Sequence, residues 1–134
     1  MSGILYNRCH GGFGFSEECK EEYLKRTGRK LDEYNVNRSD PELIKLYEEF
    51  GSDWMSGLCA KITLKKVSPT LIKYLRIGEY DGKEWIDSQM TKLKCYEEFM
   101  DIVKKDPMQL EVAYLNLCGT LKEIEDMDSH IKRI

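Results

Sequence analysis

The residues best equipped for chemistry lie near the N-terminus, in residues 6–16 (YNRCHGGFGFS). Arg8 is a cation, Cys9 a potential nucleophile or metal ligand, and His10 a potential base. Gly11, Gly12 and Gly14 let the backbone come close to a ligand, and Ser16 opens a helix-like run. A strand, a glycine turn and a helix N-terminus in succession can present backbone N–H groups to an anion. The spacing excludes two familiar forms of that device. GGFGFS lacks the Lys-Ser/Thr ending of a phosphate-binding P-loop, and Gly12-Phe13-Gly14 has no glycine three residues later, as a dinucleotide fingerprint requires. Glycines that serve only a tight turn are the simpler reading. Cys9 and His10 are adjacent, and neighbours on a strand point to opposite faces, which is poor geometry for a nucleophile and its base. The second histidine, His130, is far along the chain. A metal site needs three or four ligands and no local cluster offers them, so no metal and no cofactor are expected.

Other polar residues read more plainly. Glu79, Asp81 and Glu84 flank a turn and are expected to form a solvated hairpin tip. Trp85 reads as a core or edge aromatic. Trp54 sits in the polar segment GSDWMSG, read as a loop, where an indole can anchor a partner. No set of nucleophile, base and orienting residue emerges, so no catalytic residue is assigned.

The bulk properties narrow the class. At 134 residues the chain is expected to form one domain with a small appended element. Charged residues make up 34% of it, spread through aliphatic and aromatic positions as on solvated helix faces. The net charge of −3, without a basic stripe, argues against duplex nucleic acid as a partner. No segment reaches the ~20 apolar residues needed to cross a bilayer, and no secretory leader is visible. The five cysteines are odd in number and widely spaced, which reads as free thiols in a reducing compartment.

These residues need elements to position them. Residues 4–8 read as a first strand. Ser16, with Glu17 and Glu18 after it, reads as a helix cap, and Phe15, Cys19 and Tyr23 form the inner face of that helix. Gly28 stands where a helix-closing glycine belongs. Residues 29–39 read as a loop. Asp40-Pro41-Glu42 opens a second helix with Leu43, Leu46, Tyr47 and Phe50 on its inner face, and Gly51 reads as its stop. Residues 59–67 alternate, with Ala60, Ile62 and Leu64 on one face. Residues 71–80 read as a strand, Asp81-Gly82 as a hairpin turn, and residues 83–86 as the returning strand. Met90, Leu93, Tyr96, Met100 and Val103 then follow helical spacing up to Asp106-Pro107. Leu110, Ala113, Leu117, Leu121, Ile124 and Ile131 continue it in a nearly heptad pattern, interrupted by Gly119. The expectation is an α+β fold: a small, mainly antiparallel sheet with two helices over residues 1–89, and a C-terminal helical hairpin over residues 90–134 packed on it.

Three blocks carry a family resemblance: ILYNRCHGGFGFSEE, then DPELIKLYEEFG followed by SGLCAKITLKKV, then EYDGKEWI. In this order they resemble a family of small proteins from bacteriophages and large DNA viruses, without an assigned activity, marked by a GGFG loop and an EYDG-x-EW hairpin. The resemblance covers about two-thirds of the chain. It implies a compact α+β domain of viral origin, working in the host cytoplasm or inside the virion. The glycine loop and the hairpin are its closest matches, and both are loops, where composition is free unless geometry or binding constrains it. The two are therefore expected to lie together at one end of the sheet. Arg8, His10, Gly11, Gly12, Gly14, Ser16, Tyr80, Asp81 and Trp85 are the expected contacts for a small anionic ligand, such as a nucleotide, or for a host protein. The alternative expectation is a virion structural or cement component whose C-terminal helices contact other subunits or a second copy.

Overall fold

The structure, a computed structural model, describes the backbone of residues 2–132 and the side chains of residues 2–127. Among the described residues there are four strands and five α-helices, an α+β architecture. The strands form two separate antiparallel pairs rather than one sheet. The chain divides into two compact units, residues 1–72 with 77–85, and residues 73–76 with those from 86 onward.

In the first unit, β1 (Gly3–Asn7) pairs antiparallel with β2 (Ile62–Lys66), with Leu5 opposite Leu64 and Asn7 opposite Ile62. α1 (Glu17–Thr27) starts where the cap chemistry predicts. The Ser16 hydroxyl accepts from the Cys19 N–H at 3.1 Å, and Glu17 and Glu18 face the positive end of the helix dipole. Gly28 closes the helix in the left-handed region, its N–H donating to the Leu24 carbonyl. α2 (Pro41–Met55) starts at Asp40, whose carboxylate caps the Glu42 N–H at 2.9 Å and accepts the Tyr23 hydroxyl at 2.6 Å. One buried carboxylate thus caps α2 and ties it to α1. Gly51 kinks α2 rather than stopping it, with φ 86 and ψ 176, and the helix resumes through Met55. Trp54 is consequently helical, not in a loop, and stacks on Phe50 with ring centroids 4.2 Å apart.

Leu5, Phe15, Cys19, Tyr23, Leu31, Leu43, Leu46, Met55 and Ile62 form the core of this unit. Fully burying each Leu, Ile, Phe or Met contributes about 1.5–3 kcal/mol. Phe50, expected on the inner face of α2, is half exposed. The expected strand over residues 71–80 is shorter than its pattern suggests. Ser68 and Pro69 start a one-turn helix, α3 (Pro69–Ile72), with the Ser68 hydroxyl accepting from the Leu71 N–H at 3.2 Å. Only Ile77–Tyr80 (β3) is extended, and it pairs with β4 (Lys83–Ile86).

The second unit holds α4 (Ser88–Lys105), a 3-10 turn (Pro107–Gln109) and α5 (Leu110–Lys132), and α4 and α5 pack against each other. Ala113, Leu117 and Ile124 are buried as their spacing predicts, whereas Leu110 is exposed. His130 and Ile131 fall outside the described side chains. On α4 the expected inner stripe is the exposed one. Met90, Leu93, Tyr96 and Met100 face solvent, and the buried residues are Thr91 and Cys95. The Thr91 hydroxyl donates to the Asp87 carbonyl at 2.7 Å and accepts from the Arg76 N–H at 3.1 Å. A small hydroxyl residue therefore lies where periodicity favoured a large apolar one.

Candidate functional site

β1 ends at Asn7, so residues 8–14 form an irregular loop, and Cys9 and His10 lie in a turn rather than on a strand. Asn7 is fully buried and its carboxamide uses its full bonding capacity. Nδ2 donates to the Cys9 and Gly82 carbonyls, both at 2.7 Å. Oδ1 accepts from the Lys61 N–H at 2.8 Å and the Cys9 N–H at 3.2 Å. One side chain thereby joins the end of β1, the start of β2, the glycine loop and the β3–β4 turn.

A second device lies beside it. Glu84 is buried on β4, and its Oε1 accepts from the Asn7 backbone N–H at 2.8 Å. Arg38 grips the same carboxylate with both amino groups, Nη1 to Oε1 at 2.7 Å and Nη2 to Oε2 at 2.9 Å. Its guanidinium also lies 3.5 Å from the centroid of the Phe13 ring, and its backbone carbonyl accepts the Leu5 N–H at 2.8 Å. Arg38 thus connects β1, the glycine loop and the hairpin. Glu84, expected at a solvated tip, is instead the buried partner of this pair, while Glu79 and Asp81 are exposed as expected.

The loop and the hairpin turn touch directly. Asp81 and Gly82 both have positive φ, 51° and 86°, the signature of the I′ turn that matches strand twist. A side chain at Gly82 would collide with the Gly12 nitrogen and stand 2.7 Å from the His10 carbonyl. Gly82 is therefore required twice, for its φ and for the close approach. Gly11 lies equally tight against Cys59, where a Cβ would overlap the Cys59 backbone. Tyr80 is exposed, and Trp85 lies over Gly78 with part of its indole in solvent.

The start of α1 is occupied by the chain's own anion. Glu33 Oε1 accepts from the Phe15 N–H at 3.1 Å and pairs with Lys20 at 2.7 Å. The hydrogen bond to Glu33 raises the Lys20 pKa above its usual value. The Ser16 hydroxyl donates to the Trp54 carbonyl at 2.6 Å, its N–H donates to Met55, and the Gly14 carbonyl accepts from Gly57. The helix N-terminus is thus spent on internal contacts. The N–H groups of His10, Gly11, Phe13 and Gly14, by contrast, have no acceptor among the described residues.

Of the expected contacts, His10, Gly11, Gly12, Asp81 and Tyr80, the last residue of β3, belong to this one end of the unit. Arg8 is exposed just beyond β1, with its N–H on the Lys61 carbonyl. Gly14 and Ser16 face the α2 end instead, and Trp85 covers the hairpin's own strand. Sequence reasoning missed Asn7, Glu33, Arg38 and Glu84. Glu84 had a usable signal, because it alternates with Lys83 and Trp85 on the same face as buried Ile86.

Neither the Cys9 thiol nor the His10 ring has a hydrogen-bond partner among the described residues. Burial pushes the Cys19 thiol up to about 12, the behaviour of an inert core cysteine. Among the described residues no group of three or more His, Cys, Asp or Glu is placed to hold a metal ion, and no helix is long and apolar enough to cross a membrane. Comparison with known protein families, with curated proteins and with solved structures returned no match.

Proposed function

We propose that the protein is a non-catalytic binding protein of viral origin, and that the loop-and-turn end of its first unit holds a small anionic ligand of the nucleotide class. The observation that carries this reading is the set of N–H groups on His10, Gly11 and Phe13, without acceptors among the described residues, in a loop pinned by Asn7 and the Arg38–Glu84 pair. A pinned loop loses little entropy on binding, which favours affinity. Arg8 supplies positive charge beside it, and exposed Asp81 supplies an acceptor for hydroxyl or amino groups of the ligand. The resemblance of the GGFG loop and EYDGKEW hairpin to the viral family supports the same end of the molecule.

A thermal-shift screen against nucleotides and cyclic nucleotides tests the proposal. A ligand at 100 times its Kd adds about 2.7 kcal/mol by mass action, a readily visible rise in Tm. That rise should be lost in Arg8→Ala. No shift with any of these compounds at millimolar concentration overturns the small-ligand reading. A second reading, a virion component, draws on the many large apolar residues exposed on α4 and α5. Mass spectrometry of purified particles decides it, since absence from virions removes that role.

A further inference from the structure

The outer face of α4 is the most unusual surface of the second unit. Leu93, Tyr96 and Met100 lie roughly 100–180° around the helix from buried Thr91 and Cys95, at 3.6 residues per turn. They are 47–65% exposed. Their spacing of three and four residues is that of a coiled-coil seam, and among the described residues no second helix covers it. A two-helix hairpin buries only the seam between its helices, so a stripe on the outer side of one helix is covered only by a further element.

The charges bordering the stripe say what covers it. Glu97 and Lys104 are one heptad apart on the same edge, both exposed, and neither has an ion-pair partner among the described residues. Their neighbours are already matched: Asp101 pairs with Lys105, and Glu98 with Lys73. Two opposite charges at the same heptad position are self-complementary when two copies of the helix run antiparallel. The two-fold axis then passes beside Met100, which meets its own symmetry mate, and each Glu97 faces the other copy's Lys104. A two-fold contact needs such self-complementarity, since each residue i that meets j must also be met by j as i.

We infer that the α4 outer stripe is a homodimer interface, joining two copies of this chain through antiparallel α4 helices. This goes beyond ligand binding, which concerns the first unit alone.

Analytical ultracentrifugation of the full chain, from low to high micromolar, tests it. The expected result is a monomer–dimer equilibrium. Glu97→Lys should weaken association at least about tenfold by placing like charges across the axis. Adding Lys104→Glu to that variant reverses both charges and should restore the dimer. Met100→Lys, at an exposed site, should give a monomer with unchanged far-UV circular dichroism. A chain that is monomeric throughout overturns the inference. So does a dimer indifferent to Glu97→Lys and Met100→Lys, or one that the double charge swap fails to restore.

Discussion

The two units handle their chemical groups in opposite ways. The first turns its polar groups inward and matches them: Asn7, Glu84 and Asp40 are buried, and each is hydrogen-bonded. Among the described residues no buried side-chain nitrogen or oxygen lacks a partner. The second turns apolar groups outward. Of the sixteen large hydrophobic residues exposed among the described residues, ten lie between Met90 and Leu115. Buried polar networks carry high stakes and specify one arrangement of loops. Exposed apolar stripes specify instead that something else should cover them. One region satisfies its buried polar side chains internally, and the other leaves large apolar side chains in solvent.

That contrast can be attacked where it is strongest. Asn7→Ala removes four hydrogen bonds at a fully buried position and strands their partners. It should cost about 3 kcal/mol or more. Glu84→Gln keeps the shape but removes the charge facing Arg38. It should cost about 2 kcal/mol, below the usual cost of breaking a fully buried pair because Arg38 is partly exposed. Both tryptophans, Trp54 and Trp85, belong to the first unit, so indole fluorescence during urea denaturation reads these losses there. An unchanged fluorescence midpoint for Asn7→Ala would show that the inward-facing network contributes nothing.

The next effect comes from the core of the same unit. Cys19 titrates at about 12 in the folded chain against an ordinary 9.0, because burial disfavours the thiolate. Folding therefore favours the protonated form. Its contribution is complete below pH 9 and is lost as pH rises toward 12. Tyr23, raised chiefly by burial and then by its bond to Asp40, acts in the same direction. The urea midpoint should fall across this alkaline range, and fall less steeply in Cys19→Ala. An equal slope in both proteins would remove Cys19 from the account.

The smallest effect sharpens the picture of the second unit. Gly119 lies within α5 with open space around it. Gly119→Ala should raise the thermal midpoint of the helical circular dichroism signal, by up to about 1 kcal/mol in stability. A lower midpoint would mean that the close approach of another helix needs this glycine.

Much of the fold was legible because its signals are local. The Ser16 cap, the Gly28 closure, the Asp40-Pro41 start and the Asp81-Gly82 turn each depend on residues within a few positions of one another. The loop-and-hairpin end was harder. Its joining contacts run between Asn7 and Glu84, 77 residues apart, and between Arg38 and Glu84, 46 apart. Arg38 sits in a polar segment that reads only as a loop. Glu33 was invisible for the same reason, although it fills the helix terminus that made the glycine loop look like an anion cradle.

Local backbone chemistry, then, was enough to place most helix starts, the turns and the α+β class, since capping and turn geometry act over a few residues. Tertiary contacts alone decided which face of α4 is buried and which carboxylate is hidden. Periodicity reveals that a stripe exists but not what lies against it. Burial of a charge such as Glu84 depends on a partner that only the folded chain brings within hydrogen-bonding distance.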